Sequence, residues 1–255
     1  MKKRNVKQPQ VYTIIAALAI SSASLSVCQG ATVFSETFSG TPGTAIAGTT
    51  ADIGGTWYDG NGNGGVISAE NSLDTSGNGR QLFDSFTAIL GAGQMLTLSY
   101  DMVAPTPSDE VGGPYNGCWA GISLYSGYDG AAGGTEQMFA GLVSTTSLGK
   151  DGGAIGGAQG SGDTNQINHL VLTYAYDTGD WTFTSASGSL SGTGTAALAL
   201  NGLRIANGGT DGSGHYGDIN LDNVAVTFSA VPEPSSMALI GAGLGLMMVL
   251  RRRRS

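Results

Sequence analysis

The chain has 255 residues, 43 of them glycine, with 12% charged residues and a formal net charge of −8. Eight of its eleven basic residues lie at the two ends (Lys2, Lys3, Arg4, Lys7 and Arg251 to Arg254), so residues 31–230 set eighteen acids against Arg80, Lys150 and Arg204. A body of net charge −15 repels nucleic acid and anionic lipid, and its lone cysteine, Cys118, supports neither an internal disulfide nor a thiolate metal cluster.

Residues 1–30 are laid out as a secretory signal peptide that forms a helix: a basic start, a mostly apolar run from Val11 to Val27, then Cys28-Gln29-Gly30-Ala31. Cleavage is expected after Gly30 or Ala31. Val27 stands where a lipoprotein signal needs a small residue before the cysteine, which argues against lipidation of Cys28.

Residues 31–230 are long enough for one domain with a real core. No window there sustains helical periodicity, while alternating segments and Gly-rich turns recur, the pattern of an all-β antiparallel jelly-roll sandwich. In Phe34-Ser35-Glu36-Thr37-Phe38, Glu36 shares a face with two phenylalanines and is predicted to point inward. Asp59-Gly60-Asn61-Gly62-Asn63-Gly64 followed by Glu70 satisfies the calcium-loop pattern of an EF-hand, with oxygens at Asp59, Asn61, Asn63 and Glu70. Gly54-Gly55 before it and Asn71 to Gly77 after it exclude the flanking helices. The segment therefore reads as a β-turn, with a calcium loop of another kind as the alternative.

Gln94 to Met102 alternates, with Leu96, Leu98, Tyr100 and Met102 on one face. The Gly-rich stretches at 105–114, 125–135 and 150–163 read as surface loops, and none matches a phosphate-binding loop. Exposed aromatics beside Asn and Asp stack on sugar rings and hydrogen-bond their hydroxyls, so Tyr58, Tyr115, Tyr125 and Tyr128 are the candidate ligand-binding residues. Trp119, Trp181 and Phe183 are expected in the core. His169 to Tyr176 and Trp181 to Thr184 form a predicted hairpin across Asp177-Thr178-Gly179-Asp180. Gly202 to Ala206 is a further strand. In the last strand, Asp218 to Phe228, alternation switches at Asp222-Asn223, which predicts a β-bulge.

Catalytic patterns are missing. None of Glu36, Glu70, Glu110 and Glu136 begins the E-x-D-x-x-E of retaining glucanases, and His169 and His215 lack a hydrolase or metalloprotease context. The body is expected to be non-enzymatic.

Phe34-Ser35-Glu36-Thr37-Phe38 at one end and Ile219-Asn220-Leu221-Asp222-Asn223-Val224 at the other resemble the concanavalin-like and laminin-G-like sandwiches and related carbohydrate-binding jelly rolls. The resemblance implies first and last strands side by side. It also suggests a structural calcium at Glu36 and Asp222, completed by backbone carbonyls, because two inward carboxylates with few basic partners must be coordinated or hydrogen-bonded. A hydrogen-bonded cap at the sandwich edge is the other solution.

The tail, residues 231–255, reads Val231-Pro232-Glu233-Pro234, an apolar run from Met237 to Leu250, then Arg251, Arg252, Arg253 and Arg254. The arginines are expected to stay on the cytoplasmic side as a stop-transfer signal. As a helix the apolar run spans roughly 21 Å against a hydrocarbon core of about 30 Å, a short and transient anchor. This order closely resembles the sorting signal of the bacterial PEP-CTERM proteins. The resemblance implies export, tethering to the inner membrane, and processing at Pro-Glu-Pro by an exosortase-type enzyme, with delivery to the cell surface or extracellular matrix. Three functions stay open: a non-enzymatic envelope or matrix protein, a carbohydrate-binding module for exopolysaccharide, and a glycan-active enzyme.

Overall fold

The computed structural model describes residues 30–62, 64–69, 71–74, 81–103, 119–131, 133–144, 147–150, 153–155, 167–185, 188–208 and 220–231. The segments expected to form the signal and tail helices, together with Asn63, Glu70, Tyr115, Pro232, Glu233, Pro234, Met237, Leu250 and Arg251 to Arg254, lie outside the described residues.

Every regular element described is a strand: β1 (Ala31–Glu36), β2 (Tyr58–Asp59), β3 (Val66–Ile67), β4 (Leu73–Asp74), β5 (Gln81–Ser85), β6 (Gln94–Val103), β7 (Trp119–Ser126) and β8 (Thr135–Ser144). There follow β9 (Ser147–Lys150), β10 (Gly153–Ile155), β11 (Ile167–Ala175), β12 (Asp180–Ser185), β13 (Gly188–Thr193), β14 (Leu200–Gly208) and β15 (Asn220–Ala230). They build two antiparallel sheets. The eight-stranded sheet runs β13-β12-β11-β6-β15-β4-β3 with β1 also paired to β15, and the seven-stranded sheet runs β10-β9-β8-β7-β14-β5-β2.

The expected alternation is realised. Leu96, Leu98, Tyr100 and Met102 of β6 are buried, as are Leu170, Leu172 and Tyr174 of β11. They meet Ala120, Ile122 and Leu124 of β7 and Leu203 and Ile205 of β14 in one core between the sheets. Each such leucine, isoleucine or methionine side chain contributes roughly 1.5–3 kcal/mol of burial. The Tyr100 hydroxyl crosses this core and donates to the Ala140 carbonyl of β8 at 2.7 Å, tying one sheet to the other. Phe183 is fully buried, and Trp181 packs against the core while only partly buried.

First and last strands do lie together: Phe34 pairs with Val226 and Glu36 with Val224. The predicted bulge is present, because the β15–β6 register shifts between Asp222 and Ala225, and Asn223 takes a left-handed φ of 51°. Asparagine tolerates that conformation. The extra residue lets Leu221 and Val224 both face the core.

The outer faces of the two sheets differ in chemistry. Across the eight-stranded sheet, Ser191, Thr182, Thr173, Thr97, Thr227 and Thr32 stand in one register row, hydroxyl beside hydroxyl. The corresponding face of the seven-stranded sheet carries aromatic and charged groups.

Candidate functional site

On the seven-stranded sheet, register places Tyr58 beside Phe83, Phe83 beside Arg204, Arg204 beside Ser123 and Ser123 beside Phe139. All five alternate with core residues and so leave the sheet on its outer side, where Phe83 and Ser123 are nonetheless buried by their neighbours and Tyr58 is exposed. The row crosses β2, β5, β14, β7 and β8, four interstrand steps or roughly 19 Å. To one side, Tyr125 of β7 faces Glu136 of β8. To the other runs a strip almost without side chains, Gln81, Ala206, Gly121, Gly141 and Gly149. The missing Cβ atoms are structural: one at Gly121 would lie 2.4 Å from the Ala140 carbonyl oxygen and 3.0 Å from the Phe139 ring.

Arg204 is the centre of the arrangement. Its guanidinium carbon sits 5.9 Å from the Phe83 ring centroid and 5.6 Å from that of Tyr125. It donates to Glu136 at 2.8 Å and to the Ser123 hydroxyl at 3.2 Å. The other Glu136 oxygen accepts from Ser123 at 2.7 Å, and the Tyr125 hydroxyl donates to Glu136 at 3.3 Å. The carboxylate is thus aimed by three side chains, yet Glu136 remains 40% exposed. Burial pushes the Tyr125 phenol up to about 12, so at neutral pH it is protonated and donates.

The four tyrosines selected from the sequence separate. Tyr58 is 40% exposed, but Tyr125 and Tyr128 are each only 6% exposed. The expectation of open stacking platforms at those two is corrected. Tyr128 lies parallel to Phe83 with centroids 6.1 Å apart, and Tyr125 meets Phe83 edge-on at 5.5 Å. Gly202 makes room, since a Cβ there would come within 2.8 Å of the Tyr128 ring. Tyr125 and Tyr128 therefore wall and support the site, and Tyr58 presents it. Phe83, Arg204, Ser123 and Glu136 were not singled out as ligand-binding from the sequence. The available signal was Arg204, one of three bases in the body, placed outward between Leu203 and Ile205.

The candidate metal positions resolve differently. Glu36 does point inward and is 7% exposed. Its oxygens accept from the Phe38 amide at 2.8 Å and the Trp57 indole N–H at 3.1 Å. Asp222 pairs instead with Asp101, whose neighbours Tyr100 and Met102 face the core, so the bulge has turned Asp222 outward. There Asn223 donates through its side chain to Asp101 at 2.9 Å, and His169 Nδ1 lies 2.7 Å from the same carboxylate. Glu36 and Asp222 occupy opposite faces of the sheet and cannot share one ion, which corrects that pairing. The hydrogen-bonded cap is the solution adopted at Glu36. Asp59 accepts the amides of Asn61 and Gly62 on one oxygen and that of Gly64 on the other, at 3.0, 2.8 and 2.7 Å, which is turn geometry.

A second inward carboxylate, unremarked in the sequence, is Asp84 of β5. It is fully buried and accepts the Gly55 amide at 2.8 Å, while Oδ2 has no partner among the described residues. Burial, with a further contribution from the Glu36 charge, pushes its carboxyl up to about 6. Glu36 and Asp84 together hold the segment from Gly55 to Trp57 that delivers Tyr58.

The two packed antiparallel sheets define a jelly-roll sandwich. An endo-1,3-beta-glucanase from Streptomyces sioyaensis is similar at 13% identity, with TM-score 0.50 over 79% of this chain and 97% of that one. Lectin II from Ulex europaeus aligns at 10% identity and TM-score 0.47, covering 78% of this chain and all of that one. A Lotus tetragonolobus seed lectin aligns at 11% identity and TM-score 0.47, covering 80% of this chain and all of that one. No curated protein matches the sequence. Residues 230–254 match the PEP-CTERM protein-sorting motif. The chain is therefore an exported protein with a membrane-anchoring tail of the kind an exosortase processes. The described body ends at this motif, where the Val231 amide donates to the Gly93 carbonyl at 2.9 Å.

Proposed function

We propose that this protein is an exported, non-enzymatic sandwich of the cell envelope or extracellular matrix that binds exopolysaccharide on the outer face of its seven-stranded sheet. The observation that carries the reading is the row Tyr58–Phe83–Arg204–Ser123–Phe139. With Glu136 beside it, the row joins an exposed aromatic, Tyr58, to an accessible carboxylate held by the buried Ser123 and by Arg204, the combination that stacks on a sugar ring and fixes a hydroxyl. The hydroxyl row of the opposite sheet offers no comparable aromatic among the described residues. The non-enzymatic part of the reading is supported by the acid count: Glu136 is the one carboxylate at the outward register positions of this row and its two flanking rows among the described residues. Glycoside hydrolysis uses two carboxylates astride the bond.

The test is a glycan array probed with the exported protein, with calcium and with chelator, scored for binding and for release of reducing ends. Defined binding without turnover supports the proposal, and Tyr58→Ala is expected to weaken it about tenfold while leaving the melting temperature unchanged. Turnover would make it a glycan-active enzyme. Neither binding nor turnover would leave an envelope protein with no carbohydrate role. Cleavage at Pro232-Glu233-Pro234 by the exosortase, with delivery of the body to the surface or matrix, is read by intact mass of the native protein. A mature form retaining Arg251 to Arg254 would refute it.

A further inference from the structure

We propose that this face selects uncharged glycans and that Glu136 is the residue that makes it do so. The inference rests on the carbohydrate-binding reading above and adds the class of sugar.

Arg204 is the one basic side chain described on this face, and a lone arginine on an aromatic bed would ordinarily attract a carboxylated or sulfated sugar. Here the guanidinium is committed. Glu136 accepts from it at 2.8 Å, Ser123 at 3.2 Å, and the rings of Phe83 and Tyr125 lie against it. The pair is charge-neutral, and its anionic half is the more accessible: the Arg204 side chain is 15% exposed and that of Glu136 40%. A polyanion would meet the carboxylate first. To reach Arg204 it would have to displace Glu136 while approaching a body with eighteen acids and three bases. Like charges brought together in this way oppose association.

The same geometry suits neutral hydroxyls. A carboxylate whose orientation is set by Arg204, Ser123 and Tyr125 has three of its roughly four lone-pair sites filled and keeps one on Oε1 to accept from a sugar O–H group. Tyr58 and Phe139, at the two ends of the row, offer apolar surface to ring faces. Glu136 therefore does two things: it accepts from the ligand, and it cancels the charge that would admit an acidic competitor.

The experiment presents the exported protein with immobilised neutral glycans (a 1,3-β-glucan and cellulose oligosaccharides) and acidic ones (polygalacturonate and a sulfated galactan), at low and high salt. The expected result is binding to a neutral glycan with little salt dependence, and at least about tenfold weaker binding to every acidic glycan. Preference for an acidic glycan would overturn the inference and leave the carbohydrate reading standing. Absence of binding to both classes would overturn both. Glu136→Gln, checked for an unchanged circular dichroism spectrum and melting profile, unmasks the Arg204 charge. It should lose neutral affinity and gain acidic-glycan binding that fades with salt. If Glu136→Gln is folded and still rejects acidic glycans as fully as the parent, Glu136 is not the selecting residue.

Discussion

Replacing Asp84 by asparagine should change how stability depends on pH. Asp84 has no solvent exposure, and one of its oxygens has no partner among the described residues. Burial lifts its carboxyl from an ordinary 3.8 to about 6. A carboxylate with a raised native pKa binds more protons folded than unfolded between those two values. Its neutral form is therefore present in the fold at low pH, and stability is lost as pH rises from about 3.8 through about 6. A shift of this size corresponds to about 2 kcal/mol between pH 4 and pH 8, the remainder falling below pH 4. The carboxamide introduced by Asp84→Asn keeps an oxygen that can accept from Gly55 and cannot ionise. Any fixed cost of its amide N–H is the same at every pH, so the informative quantity is the difference between variant and parent. Urea unfolding at half-unit steps from pH 4 to pH 8 should show that difference moving in favour of the variant by about 2 kcal/mol, mostly between pH 4 and 6. Charges that do not interact with Asp84 cancel in the subtraction, and the Glu36 charge, which does, is part of the difference. A difference that stays flat within about 0.5 kcal/mol across the range would refute the reasoning. Asp84 would then titrate as an ordinary carboxyl, and the partnerless oxygen would carry no cost.

Two further substitutions probe the scaffold. Trp57→Phe keeps the ring packed between Phe34 and Phe38 but removes the indole N–H that bonds Glu36 at 3.1 Å. Leaving a buried carboxylate oxygen without its donor should cost about 1–3 kcal/mol in denaturant unfolding, with a larger loss at pH 8 than at pH 4, because burial already raises the Glu36 carboxyl. Equal losses at both pH values would argue against the charged form. Gly121→Ala drives a methyl to 2.4 Å from a backbone oxygen of the neighbouring strand. That contact is not relieved by a rotamer change, so a loss of about 1–3 kcal/mol is expected in thermal or urea unfolding. An unaffected melting temperature would mean that β7 and β8 part there more easily than the geometry indicates.

Much of the architecture was legible in local pattern. Leu96 to Met102 and Leu170 to Tyr174 alternate so regularly that their inward faces needed no tertiary information. The hairpin at Asp177 to Asp180 and the bulge at Asp222 followed from turn chemistry and a broken period. The site was less legible for a physical reason. Aromatic clusters in the sequence pointed to Tyr125 and Tyr128, yet whether a tyrosine is exposed depends on what lies across the strand from it. Gly202 gives Tyr128 its place and Phe83 covers both rings, and those contacts join residues far apart in the chain. Asp84 was invisible for the same reason. It reads as one more acid in an acid-rich body until β5 turns it into the core.

The sequence alone determined the sorting tail and the charge plan: a sorting motif at residues 230–254, and before it an acidic body whose alternation makes strands. These are local or additive properties, readable residue by residue. Tertiary structure decided which outward residues stand together. Only strand order brings Tyr58, Phe83, Arg204, Ser123 and Phe139 into one row, and only the bulge separates Asp222 from Glu36. Register is a non-local choice set by the fit of the whole core, so the chemistry of the face appears only once the two sheets have closed.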